Sequence, residues 1–149
     1  IADAKTYAQI APNVNIKIPM TVEGMKAVPR LERDEDIRVN VTMAFSPTQA
    51  LLAMKQGASF VSIVLSRLDA YANESEILVR DTMIAKHNYL FDSEIIAGSV
   101  KTQNHLLACL REGIDIATIP VPLFDQMFKH PLTDQGLAQF LEDWKTVKK

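Results

Sequence analysis

Asn13-Val14-Asn15-Ile16-Lys17-Ile18-Pro19 is a short β-branched run closed by a proline, and it reads as a strand. Successive side chains on a strand point to opposite faces. Val14, Ile16 and Ile18 therefore share one face, and Asn13, Asn15 and Lys17 share the other. A second run, Arg38–Phe45, repeats the pattern, with Val39, Val41 and Met43 opposing Arg38, Asn40, Thr42 and Ala44. A lysine between isoleucines at the end of a strand is out of place in solvent. Burial there disfavours the ammonium form and leaves the neutral amine, the form that attacks a carbonyl. The competing reading is an edge-strand lysine on a wet face, because lysine is seldom fully buried without a partner.

Outward from these two runs the chain alternates strand-like and helix-like segments. Ile1–Ala11 reads as a helix ended by Pro12-Asn13. After the lysine strand, Val14–Pro19, a helix opens at Thr21 and continues to about Glu32, with Pro29-Arg30 as an interruption. Ser46-Pro47 is a cap followed by a first-turn proline, and the helix it starts stops at Gly57. Ser59–Leu65 is a third strand, and Arg67-Leu68-Asp69 begins the loop after it. Glu74–Asn88 is an amphipathic helix and Ser93–Val100 a fourth strand. Thr102–Arg111 is a helix ended by Gly113, and Ile114–Pro120 is a fifth strand. Pro122–Lys129 and Thr133–Lys145 are closing helices.

Short strands alternating with longer helices indicate an α/β fold built of βαβ units around a parallel sheet. A doubly wound sheet and a (β/α)8 barrel both fit that description. Central strands of a doubly wound sheet are apolar on both faces. Here Lys17, Asn40, Thr42, Ser62 and Ser99 gather polar groups towards one side and one end of the strands, which suits a barrel. No glycine-rich phosphate loop follows the first strand, which counts against a flavodoxin-like module. A barrel has eight units and about 250 residues, whereas this sequence offers five units in 149 residues.

Composition narrows the function. The chain has 48% hydrophobic and 23% charged residues and a formal net charge of −2, with no basic footprint for nucleic acid and no apolar run long enough for a membrane span. Its length fits a single domain over residues 1–149. The lone Cys109 excludes an internal disulfide and reads as a small core residue. His87, His105 and His130 lack metal spacing, so no metal or cofactor is expected, and a reduced, cytoplasmic protein is the default.

The segments together resemble the small-transaldolase and fructose-6-phosphate aldolase family. The resemblance is carried by Asn15–Gly24, Asn40–Ala50, Arg67-Leu68-Asp69, Ile96–Lys101, Ala117–Pro120, Lys129–Gly136 and the stretch from Phe140 to Trp144, in order along nearly the whole chain. It implies a partial (β/α)8 barrel whose five βα units correspond to strands four through eight. It implies that Lys17 forms a Schiff base with a ketose phosphate or dihydroxyacetone, the imine acting as electron sink for making or breaking a carbon–carbon bond without a metal. By the same resemblance Thr42 helps to position a catalytic water, Arg67 and Ser99 contact phosphate, and Lys101 adds a basic group. Asn40 points to the same side as Thr42 and can line the site. Each has an ordinary alternative: a β-branched strand residue for Thr42, a surface or Asp69-paired arginine for Arg67, a helix cap for Ser99 and an exposed lysine for Lys101.

The implied substrates are fructose 6-phosphate, dihydroxyacetone, glyceraldehyde 3-phosphate or erythrose 4-phosphate, and a homo-oligomer is expected, with Phe140, Leu141 and Trp144 supplying apolar contacts. The sequence also departs from the family. The strand-one aspartate, the Thr-Thr-Asn-Pro stretch and the strand-three acid or glutamine have no counterpart here, and Val64 stands where relatives carry an aromatic. The expectation is a fragment, a chain completed by oligomerisation, or a rearranged open sheet. The second functional reading is a catalytically impaired barrel portion that retains only sugar-phosphate binding or an assembly role.

Overall fold

The computed structural model describes residues 1–147. It groups the chain into two compact units, Ile1–Thr118 and Ile119–Lys149.

The first unit carries a five-stranded sheet. Helix α1 (Ala2–Ala8) precedes β1 (Ile16–Pro19), α2 (Val22–Pro29) and β2 (Val39–Ala44). Helix α3 (Pro47–Lys55), β3 (Phe60–Val64), the short α4 (Leu65–Asp69) and α5 (Ser75–Asn88) follow, then β4 (Glu94–Gly98), α6 (Gln103–Glu112) and the two-residue β5 (Ile116–Ala117). All four strand pairings are parallel, and the order β1-β2-β3-β4-β5 follows the chain. A doubly wound sheet reverses its strand order at a switch point, and this sheet has no reversal.

The two faces of the sheet differ. Val39, Val41, Val61, Ile63, Ile95 and Ala97 point one way and are fully buried. Each Val or Ile so buried contributes about 1.5–3 kcal/mol. Buried Ala50, Ala53 and Met54 of α3, Leu78, Val79 and Met83 of α5, and Ala108 and Cys109 of α6 complete the core. Burial pushes the Cys109 thiol up. The opposite face bears Lys17, Asn40, Thr42, Phe60, Ser62 and Ile96, and is only partly covered.

Helix starts lie just beyond the carboxyl ends of the strands and are capped by side chains. Thr21 Oγ1 accepts from the Gly24 N–H, Ser46 Oγ from Gln49, and Thr102 Oγ1 from His105. At the amino ends of the strands two carboxylates do the corresponding work. Glu32 accepts from the Val39 N–H at 2.7 Å, the Ser59 N–H at 2.6 Å and the Ser59 hydroxyl at 2.9 Å. Asp115 accepts from the Ile95 N–H at 2.7 Å and pairs with Lys86.

Three local expectations change. The helix after β1 does not run evenly to Glu32. Pro29 has no N–H to continue the ladder, and a π-helical turn, Arg30–Asp34, follows it. Arg67-Leu68-Asp69 is the second half of a helical turn, α4, instead of a loop. In β2 the alternation breaks. The register with β3 shifts between Val41 and Ala44, Met43 takes a left-handed φ of 65°, and Ala44 joins Val39 and Val41 in the core while Met43 is exposed.

The second unit contains α7 (Val121–Gln126) and α8 (Pro131–Thr146). Helix α8 buries none of its residues, and Leu137, Phe140, Leu141 and Trp144 form an exposed apolar stripe along it.

Candidate active site

The partly covered face of the sheet is polar at its centre. Lys17 stands in register with Asn40, and Pro19 with Thr42, so Lys17, Asn40 and Thr42 share this face. The Ser62 hydroxyl reaches the Asn40 side-chain oxygen at 2.7 Å, which brings β3 into the same group and orients the Asn40 amide. Towards the amino ends of the strands the face closes on Phe60. The Arg38 guanidinium lies 4.4 Å above its ring and 3.6 Å from the Glu94 carboxylate.

Lys17 is exposed, contrary to the burial its isoleucine neighbours suggest. The reason is its position. β1 is an edge strand with a hydrogen-bonded neighbour on one side only, and even Ile16 and Ile18, on the core face in register with Val39 and Val41, are only half-buried.

The carboxyl ends of the strands hold the remaining groups. Two non-glycine residues there adopt left-handed backbone, Met43 within the β2 bulge and Ser99 (φ 57°) just past β4. Such conformations cost of order 1–3 kcal/mol and persist where surroundings fix them. The Ser99 carbonyl is held by the Ser66 N–H at 3.3 Å, and the Arg67 guanidinium rests on Met43 Sδ at 3.8 Å. Arg67 and Lys101 are exposed and Ser99 is half-buried. Val64 is nearly buried, in register with Gly98.

Asp69 turns away from Arg67. Its Oδ1 accepts from the Ser75 N–H at 3.0 Å, and its Oδ2 lies 2.6 Å from His105 Nε2. His105 is buried, and its Nδ1 accepts from the Lys101 N–H at 3.1 Å. That acceptor role puts the ring proton on Nε2, where it is donated to Asp69. Burial works to raise the Asp69 carboxyl, but hydrogen bonds from Ser75 and His105 outweigh it and hold the group below the usual carboxylate range. The pair borders an open cleft of about 470 Å³ that Glu74, Glu76 and Asn104 also line.

Comparison with known proteins places this arrangement in a family. The model of the transaldolase/fructose-6-phosphate aldolase family matches residues 1–149. The chain belongs to the transaldolase/fructose-6-phosphate aldolase family. It is 47% identical over 149 residues to a probable transaldolase of Syntrophobacter fumaroxidans, covering all of this chain and 67% of that protein. Similar matches are probable transaldolases of Thermodesulfovibrio yellowstonii, 49% identical over 142 residues (95% of this chain, 66% of the relative), and Aquifex aeolicus, 49% over 147 residues (99% and 67%). The chain thus spans about two thirds of the length of these transaldolase relatives.

The sequence reading did not single out His105 or Asp69 as a pair. A lone histidine on a helix and an aspartate 36 residues earlier carry no spacing signal. The one available hint was Thr102 as a cap with His105 at the third helical position, the place from which a side chain reaches back over the helix start. Ser62 is visible in the sequence as a polar strand residue, but its bond to Asn40 depends on the strand register, which a single strand cannot reveal.

Proposed function

We propose that this chain supplies the imine-forming part of a transaldolase-like site, within a portion of a (β/α)8 barrel corresponding to strands four through eight. The Lys17 amine adds to a ketose carbonyl, and water leaves as the imine forms. The bond between the carbons α and β to the iminium then breaks: its electron pair becomes the enamine double bond as the iminium π pair moves to nitrogen, the β-hydroxyl gives up its proton, and an aldehyde departs. The resulting enamine takes a proton or adds to a second aldehyde, and hydrolysis returns the free amine. Thr42 holds the water that relays the proton. Arg67, Ser99 and Lys101 bind the phosphate, for which a guanidinium fork is well shaped. Asn40, oriented by Ser62, contacts a substrate hydroxyl.

The observation that carries this reading is the register of Lys17 with Asn40 and of Pro19 with Thr42, which sets amine, amide and hydroxyl on one face. The test is turnover: transfer of a dihydroxyacetone unit from fructose 6-phosphate to erythrose 4-phosphate, or retro-aldol release of glyceraldehyde 3-phosphate, each abolished by Lys17→Ala. Turnover that persists in Lys17→Ala rejects the assignment.

The exposure of Lys17 on an edge strand favours a second reading, in which the chain binds sugar phosphate or serves assembly without turnover. That reading expects phosphate to raise thermal stability through Arg67 and Ser99 while both assays stay silent. We also propose that a second copy of the chain covers the apolar stripe of α8, as its exposed Phe140, Leu141 and Trp144 suggest.

A further inference from the structure

We propose that His105 and Asp69 form a clamp that positions the Arg67 turn against the Ser99–Lys101 loop, so that a substrate phosphate meets both as one site. The inference rests on the reading of Arg67, Ser99 and Lys101 as phosphate contacts and adds two positioning residues to it.

Hydrogen bonds close a ring around the two loops. Helix α4 opens with the Ser66 N–H bound to the Ser99 carbonyl at 3.3 Å. It ends on Asp69, whose carboxylate accepts a hydrogen bond from the His105 Nε2–H at 2.6 Å. His105 returns to the same loop through the Lys101 N–H at 3.1 Å. Between these anchors lie Arg67 on one segment and Ser99 and Lys101 on the other. The two segments are the loops that follow the neighbouring strands β3 and β4, which stay paired as far as Val64 and Gly98, and beyond that point the ring is what ties them together. The Ser75 N–H fixes the second carboxylate oxygen of Asp69 at 3.0 Å, so the acceptor cannot swing away from the ring.

A plain capping role accounts for only part of this. Thr102 already caps α6, and the bond from Lys101 to His105 joins only the loop and the helix start it leads into. The bond from His105 to Asp69 spans 36 residues and joins two elements. A buried imidazole with an acceptor on one nitrogen and a donor on the other is fixed in tautomer and orientation. The backbone turn that carries Arg67, two residues before Asp69, is thereby held in place, and preorganised anion contacts bind with less ordering cost.

The variants separate the two bonds. His105→Asn keeps an oxygen where Nδ1 accepts from Lys101 and loses the reach to Asp69. His105→Gln restores a donor that reaches Asp69. Asp69→Asn keeps the acceptor for Ser75 and offers an amide donor to the Nε2 proton. Stabilisation by inorganic phosphate is read as the shift in melting temperature with phosphate concentration, and borohydride trapping with dihydroxyacetone, which has no phosphate, is read in parallel. Wild type should melt higher with phosphate. Half-saturation should rise tenfold or more in Asp69→Asn and His105→Asn and return to within threefold of wild type in His105→Gln, with dihydroxyacetone trapping unchanged within twofold in all three. Equal phosphate response in wild type and variants overturns the clamp, as does a wild type that phosphate does not stabilise. Parallel loss of phosphate response and trapping makes the pair merely structural and also overturns it, as does failure of all three variants to fold. Absence of trapping in wild type instead rejects the Lys17 reading, and the phosphate response still decides the clamp.

Discussion

Gly24 shows how closely one position can be set by its neighbours. A Cβ there would collide with the Pro19 carbonyl oxygen and stand 2.9 Å from Ile18 Cγ2, because α2 turns directly off the end of β1. Gly24→Ala is expected to cost about 1–3 kcal/mol through overpacking, read as a lower urea midpoint with unchanged slope. It should also shift the strand end that carries Lys17. Thr82 makes the opposite case. Its hydroxyl is fully buried on α5 without a partner. Thr82→Val should therefore raise stability by about 1 kcal/mol, since the desolvated hydroxyl is removed and the shape kept. A lower midpoint in Thr82→Val would mean that the hydroxyl has an acceptor in solution.

Among elements, the carboxylates at the strand ends matter most. Glu32 ties the π-helical turn to the starts of β2 and β3 through three hydrogen bonds. Glu32→Ala leaves two backbone donors without that acceptor and should cost about 2–4 kcal/mol in chemical denaturation. Asp69 predicts a pH dependence. Its carboxyl is held below its ordinary value in the folded state, so its contribution is complete above the unfolded carboxyl value of about 4 and fades as pH falls through the lower native value. The stability gap between wild type and Asp69→Asn should be widest above about pH 4 and close below it. A gap that stays constant to pH 2 would exclude the bonds from Ser75 and His105 as its source.

These elements also show what a reader of the sequence can and cannot find. The lysine strand, the β2 alternation at Asn40 and Thr42, the helix starts at Thr21 and Thr102 and the cap at Ser46 are local patterns, and each lies in or beside its expected element. The bulge at Met43 was hidden because it is a register shift against β3, not a property of β2 alone. The π turn was half visible as Pro29. The sequence leaves Lys17 open between a buried amine and an edge-strand lysine on a wet face, and the structure shows the second; a strand's own sequence does not say whether it lies at the edge of its sheet.

For the whole molecule, the sequential parallel order of five strands and the family match over residues 1–149 carry the account. The partly covered face and the two edge strands are the places where further structure can attach. The α8 stripe is the other. Replacing Phe140 and Trp144 together by glutamate should lower the mass measured by light scattering if a second copy covers this helix. An unchanged mass would give the stripe no part in association.

The central claim is that Lys17 forms an imine. The direct measurement is borohydride reduction in the presence of fructose 6-phosphate, followed by intact mass and peptide mapping. The account predicts one reduced sugar-phosphate adduct per chain, on the peptide containing Lys17, and none in Lys17→Ala. No adduct on the wild-type chain, or an adduct that survives Lys17→Ala, would contradict it.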